Sequence, residues 1–92
     1  MTVTIGDITF DRVRYDADGD VLYLHVGDPS QAVDFDESPE GHHLRFDAEE
    51  NLIGVTIVNA KRLLEREGKI TLTIPERVEV GPDALGPALA TV

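Results

Sequence analysis

The sequence predicts an α+β fold: a twisted, mainly antiparallel β-sheet of five to six strands in meander-like order, with one short α-helix packed on one face. Three observations predict it. Apolar residues alternate with polar ones far more often than they recur at helical spacing, turn formers punctuate the chain at short intervals, and one stretch alone, residues 60–67, reads as a helix with both ends marked.

A short strand at Val3 to Ile5, broken by Gly6-Asp7, precedes a first full strand at Ile8 to Tyr15. Val21 to Val26 alternates Leu22, Leu24 and Val26 with Tyr23 and His25 and reads as the next. Gly27-Asp28-Pro29-Ser30 is a turn cluster, Ala32 to Asp36 a third strand, Ser38-Pro39-Glu40-Gly41 another turn, His42 to Phe46 a fourth strand and Leu52 to Val58 a fifth. Ala60 to Glu67 is the helix, with Asn59 as candidate N-cap, Leu63 and Leu64 on its apolar side and Gly68 as its stop. At about two turns it cannot stand alone in water, so it must lie on the sheet. Ile70, Leu72 and Ile74 alternate in a last strand that Pro75 ends. The chain of 92 residues suits a single domain, 1–92, with a sheet-and-helix core over 8–75 and a C-terminal tail over 76–92 whose Ala-Leu pairs suit docking.

Composition narrows the chemistry. With no cysteine, disulfides, thiolate zinc sites and cysteine nucleophiles are excluded together. No apolar run approaches the roughly 20 residues of a bilayer span, and the N-terminus lacks the basic and apolar regions of a signal peptide, so the expectation is a cytoplasmic protein with no membrane role. A formal net charge of −10 opposes binding to duplex nucleic acid, whose phosphates must be met by Lys and Arg, and attracts a basic protein instead. No cofactor-binding pattern is present: the glycines form no phosphate loop, and Ser30 and Ser38 sit beside prolines in turns with no nucleophile elbow.

Tyr15-Asp16-Ala17-Asp18-Gly19-Asp20-Val21-Leu22-Tyr23-Leu24 resembles the opening of a family of small bacterial and archaeal proteins, domain of unknown function 2283, in which a Tyr-Asp, an acidic loop and a Leu-Tyr strand recur. Phe46-Asp47-Ala48-Glu49-Glu50-Asn51-Leu52-Ile53-Gly54-Val55-Thr56-Ile57 is similar to that family's later hairpin, and the resemblance runs from Tyr15 to Pro75. It implies a compact, strand-rich fold and no established activity.

Strand phases point to a candidate surface. Leu22, Leu24 and Val26 share a face, as do Val33 with Phe35, Leu44 with Phe46, and Ile53 with Val55 and Ile57. Hairpins joining the strands in order would set Leu24 opposite Phe35, Phe35 opposite Leu44 and Leu44 opposite Val55, with the helix covering this side. The reverse face then carries Tyr23, Asp36 and His43 in one row and His25, Asp34 and Arg45 in the next, with Arg12 and Arg14 beside Tyr23 and His25 and Gly54 opposite Arg45. His42 points to the core edge, so His42 and His43 are not a chelating pair.

Asp16-Ala17-Asp18-Gly19-Asp20 does not fit a calcium loop, whose glycine is sixth and whose bidentate Glu is twelfth; it reads as a hairpin turn in which Gly19 supplies positive φ. Lys61, Arg62, Arg66 and Lys69 form a basic strip balanced by Glu65 and Glu67. Three classes of function follow. The first is a non-enzymatic interaction module, acting as a homodimer or as the acidic partner of a small basic protein, antitoxin-like, through the polar-aromatic face or an edge strand. The second is a small enzyme or metal-binding protein using His25 and His43 with Asp34 and Asp36. The third is a nucleic-acid-associated regulator. The sequence favours the first.

Overall fold

A computed structural model describes residues 1–74 and 76–90. The α+β class and the mainly antiparallel pairing hold, with nine strands and two α-helices among the described residues. Strands β1 (Val3–Ile5) and β2 (Ile8–Phe10) form one hairpin. Strands β3 (Arg12–Asp16), β4 (Val21–His25), β5 (Asp34–Glu37), β6 (His43–Phe46) and β7 (Leu52–Val58) form a five-stranded sheet. Helix α1 spans Ala60–Glu67, β8 (Ile70–Thr73) pairs with β9 (Arg77–Val80), and α2 spans Pro82–Leu89. The expected strand from Ile8 to Tyr15 is thus two strands divided at Asp11, whose carboxylate accepts the Gly27 N–H at 2.9 Å. Residues 76–90 of the expected tail are folded as β9 and α2. Pro75, expected to end the last strand, and the final two residues lie outside the described residues.

The sheet is not a meander. Its order is β3-β4-β7-β6-β5, so β7 enters between β4 and β6. Composition explains the placement: β7, Leu-Ile-Gly-Val-Thr-Ile-Val, is the longest and most apolar strand and takes the centre, while β5, Asp-Phe-Asp-Glu, is exposed along its length and takes an edge, where charge deters further pairing. Leu24 therefore faces Val55, as Leu44 does, and not Phe35.

One core joins the inner sheet face to everything that covers it. Leu22, Leu24, Leu44, Val55 and Ile57 pack in one cluster with Val3, Ile5 and Phe10 of the first hairpin, Ile70, Leu72 and Val80 of the last, and Leu85, Ala88 and Leu89 of α2. Each fully buried large side chain contributes about 1.5–3 kcal/mol, so the two hairpins and α2 do most of the covering expected of α1. Leu63 and Leu64 of α1 are only partly buried against this core.

The start of α1 is held from a distance. Asn59 is left-handed (φ 58°) and makes no side-chain cap. Asp20, at the end of the β3–β4 turn, takes the role: its backbone carbonyl accepts the Ala60 N–H at 3.1 Å, and its carboxylate accepts those of Lys61 at 2.8 Å and Arg62 at 3.1 Å. The Tyr15 hydroxyl donates to the same carboxylate at 2.7 Å. Positive φ in the turn also belongs to Asp20 (55°), not to Gly19, and it is from this left-handed residue that the carboxylate reaches the helix. At the other end Gly68 (φ 75°) closes α1 as expected, its N–H donating to Leu64 O.

His42 is 2% exposed, and its Nδ1 accepts the Val58 N–H at 3.2 Å, which requires an unprotonated nitrogen there. Burial holds its imidazole below the ordinary value, with Glu40 opposing and His43 adding to the effect. As pH falls below about 6.5 the unfolded chain binds a proton that the folded chain refuses. Stability is therefore full above that pH and declines below it until the folded His42 itself titrates. Between pH 7.5 and 5.5 the melting temperature of the protein is expected to fall more than that of His42→Gln, which keeps an acceptor and cannot titrate; parallel curves would contradict this.

Candidate interaction face

The outer face of the five-stranded sheet carries two cross-strand rows. Arg12, His25, Gly54, Arg45 and Phe35 form one, across β3, β4, β7, β6 and β5; Arg14, Tyr23, Thr56, His43 and Glu37 form the other. Six of the eight expected face residues are brought together: Arg12, Arg14, Tyr23, His25, His43 and Arg45. Asp34 and Asp36 are not. They pair with Phe46 and Leu44, in the phase of the inner face, and Phe35 and Glu37 take the outer positions. The β5–β6 turn sets this parity through Ser38 N–H to His42 O at 2.7 Å and Gly41 N–H to Ser38 O at 2.9 Å. A one-residue change of phase moves every side chain of a strand to the other face. Val33 and Phe35, expected in the core, are 62% and 63% exposed. The expected grouping of His25 and His43 with Asp34 and Asp36 is accordingly not assembled, and among the described residues no cluster of three His, Asp or Glu is placed to hold a metal.

Arginine and aromatic side chains dominate what is assembled. The Arg14 guanidinium lies 5.5 Å from the Tyr23 ring centre and that of Arg45 lies 5.6 Å from Phe35, both cation–π pairs between facing residues. Arg12, Arg14 and Arg45 make no ion pair among the described residues, although the chain holds 18 carboxylates against 8 Lys and Arg. By contrast, the basic strip near α1 is partly spent: Arg66 pairs with Glu67 at 3.7 Å and Lys69 with Glu79 at 3.0 Å.

Gly54 lets the middle of this face sink. A Cβ there would stand 2.9 Å from His25 Cδ2 and 3.1 Å from Arg45 Cβ, so the imidazole lies across β7 only because residue 54 has no side chain. His25 is 9% exposed; its Nδ1 bonds the Val26 carbonyl at 3.1 Å and its Nε2 is buried without a partner. Around it opens a concavity of about 260 Å³ lined by Arg12, Arg14, Tyr23, Pro29, Arg45 and Thr56 among others.

The neighbouring β5 edge has two of its backbone donors already engaged. The Phe35 N–H donates to Asp34 Oδ1 at 2.9 Å and the Glu37 N–H to Asp36 Oδ1 at 2.7 Å, occupying donors that an added strand would need.

A family model described as "Protein of unknown function (DUF2283)" matches residues 12–61. The chain belongs to DUF2283. The DUF2283 match takes in β3 to β7 and the first two residues of α1, and so contains both rows of the face and, in Tyr15, Asp20 and Lys61, the link that starts the helix. It ends before β8, short of the resemblance expected to reach Pro75. No curated protein and no solved structure matches the chain. Among the described residues no helix is long and apolar enough to cross a membrane.

Proposed function

We propose that the protein is a non-enzymatic interaction module that self-associates through the outer face of the five-stranded sheet. One observation carries this reading: each row is complementary to itself when reversed. Face-to-face packing about a two-fold axis parallel to β7 lays β3 of one copy over β5 of the other at the same height. Arg14 then meets Glu37 of the second copy, Arg12 meets Phe35, Tyr23 meets His43, and Gly54 meets Gly54 at the axis. The basic edge of one face thus covers the acidic edge of the other, Arg14 gaining a carboxylate partner and Arg12 an aromatic one.

Magnitude sets the strength. Four strand spacings make the face about 19 Å wide, with strands of about 15 Å. That footprint lies below the range of stable interfaces and suits a weak, reversible dimer with a dissociation constant of roughly tens to hundreds of micromolar. Light scattering over a concentration series is expected to show a monomer–dimer equilibrium. Tyr23→Glu, which places a charge at the centre of the contact, is expected to give a folded monomer; equal masses for both proteins would reject the face as the dimer surface. A second reading rests on the net charge of −10 and has the module neutralising a small basic protein, antitoxin-like, with its carboxylate-rich surface.

A further inference from the structure

We propose that the concavity over Gly54 is a binding site for a small oxyanion that carries its own O–H, hydrogen phosphate being the simplest. Three guanidiniums, those of Arg12, Arg14 and Arg45, border it without an ion pair among the described residues, and each presents a planar fork of N–H donors suited to oxyanions. His25 supplies what an anion alone would not need. The Val26 carbonyl can only accept, so Nδ1 carries the proton of that bond, the lone pair of this tautomer is on Nε2, and that atom is buried with no donor. A buried acceptor left unpaired is costly, so the site is one donor short, while the three guanidiniums, none of them buried, are free to exchange solvent for an anion. Hydrogen phosphate can supply both, its P–O–H donating to Nε2 once a neighbouring side chain shifts to uncover that closed-off atom, while its other oxygens accept from the arginines. Sulfate has the same shape but no proton to donate at neutral pH. The volume, about 260 Å³, exceeds several times the roughly 30 Å³ that a water occupies, and the Tyr23 ring forms one wall.

The site does not depend on self-association. If the dimer forms as described above, Glu37 of the second copy and a free oxyanion compete for Arg14, and the two are separated by working at a concentration where light scattering gives the monomer mass.

The test is a titration of inorganic phosphate, and of sulfate at matched ionic strength, followed by NMR of the arginine Nε–H groups, the Tyr23 backbone and the His25 ring. The expected result is saturable shifts centred on Arg12, Arg14, Tyr23, His25 and Arg45, with phosphate at least about tenfold tighter than sulfate and about tenfold weaker in Arg45→Gln. Arg12 is exposed, so Arg12→Gln gives the same comparison should Arg45→Gln disturb the fold. Shifts that fail to saturate, that are equal for the two anions, or that keep their affinity in the folded arginine variant would overturn the proposal.

Discussion

Asp20→Ala is expected to cost about 3 kcal/mol of stability and to lower the melting temperature by roughly 12–20 °C. The carboxylate receives two N–H groups of the first turn of α1 and the Tyr15 hydroxyl. Capping accounts for about 1–2 kcal/mol, and an abandoned, part-buried Tyr15 hydroxyl adds roughly another. Alanine also takes the left-handed backbone at residue 20 (φ 55°) less readily than aspartate does. Asp20→Asn is expected to lose less, because its one oxygen still accepts. Acid should reproduce the defect. Burial pushes the Asp20 carboxyl up, but hydrogen bonds from Tyr15, Lys61 and Arg62, with the Arg62 charge, outweigh it and hold the group below the usual carboxylate range. Its stabilisation is therefore complete above about pH 4, the unfolded value, and is lost as pH falls further through the folded one. Tyr15 shows the other side of the same contact, its hydroxyl pushed up to about 12 by burial and then by the bond to Asp20. Thermal melts of wild type, Asp20→Ala and Asp20→Asn at neutral pH check the ranking; an unchanged melting temperature in Asp20→Ala would show that α1 is held by packing alone.

Elements whose signals are local were legible in the sequence. Leu52–Val58 and Ala60–Glu67 stand where alternation, helical spacing and the Gly68 stop put them. The α2 helix lay in what was expected to be a tail, because Gly86 and Pro87 are poor helix formers, although Leu85, Ala88 and Leu89 already stand at the i, i+3, i+4 spacing of a buried stripe. Strand order was not legible, since adjacency in sequence suggested a meander, while the apolar content of β7 and the acidity of β5 decided centre and edge. For the candidate face, residues on β3, β4 and β6 followed from alternation alone. Asp34 and Asp36 failed because the parity of an edge strand is set by its turn, which leaves Phe35 on the outer face beside Arg45. The Asp20 cap joins positions 41 and 42 residues apart, a distance over which no periodicity in the sequence speaks.

Charge reversal is expected to have the second large effect, on association and not on folding. Arg14 and Glu37 lie at opposite ends of one row, on exposed positions of the two edge strands. They are separated within one copy by three strands, so neither supports the other in the monomer. In the two-fold dimer they meet twice. Arg14→Glu sets glutamate against glutamate at both contacts, and Glu37→Arg sets arginine against arginine; like charges facing each other across an interface cost up to several kcal/mol, so each single variant should weaken the dimer about hundredfold or more. The double variant restores opposite charges at both contacts with the polarity exchanged. A merely additive loss would arise if the two residues acted independently, so the restoration is specific to a packing that lays β3 over β5.

The solution mass of these four proteins, measured by light scattering from about 10 to 500 μM, a range that brackets the expected dissociation constant, decides whether the face self-associates. Concentration-dependent dimers for the wild type and for the double variant, with folded monomers for Arg14→Glu and Glu37→Arg, are the expected result. A wild type that stays monomeric throughout, or a double variant no better than its parents, would contradict self-association through this face.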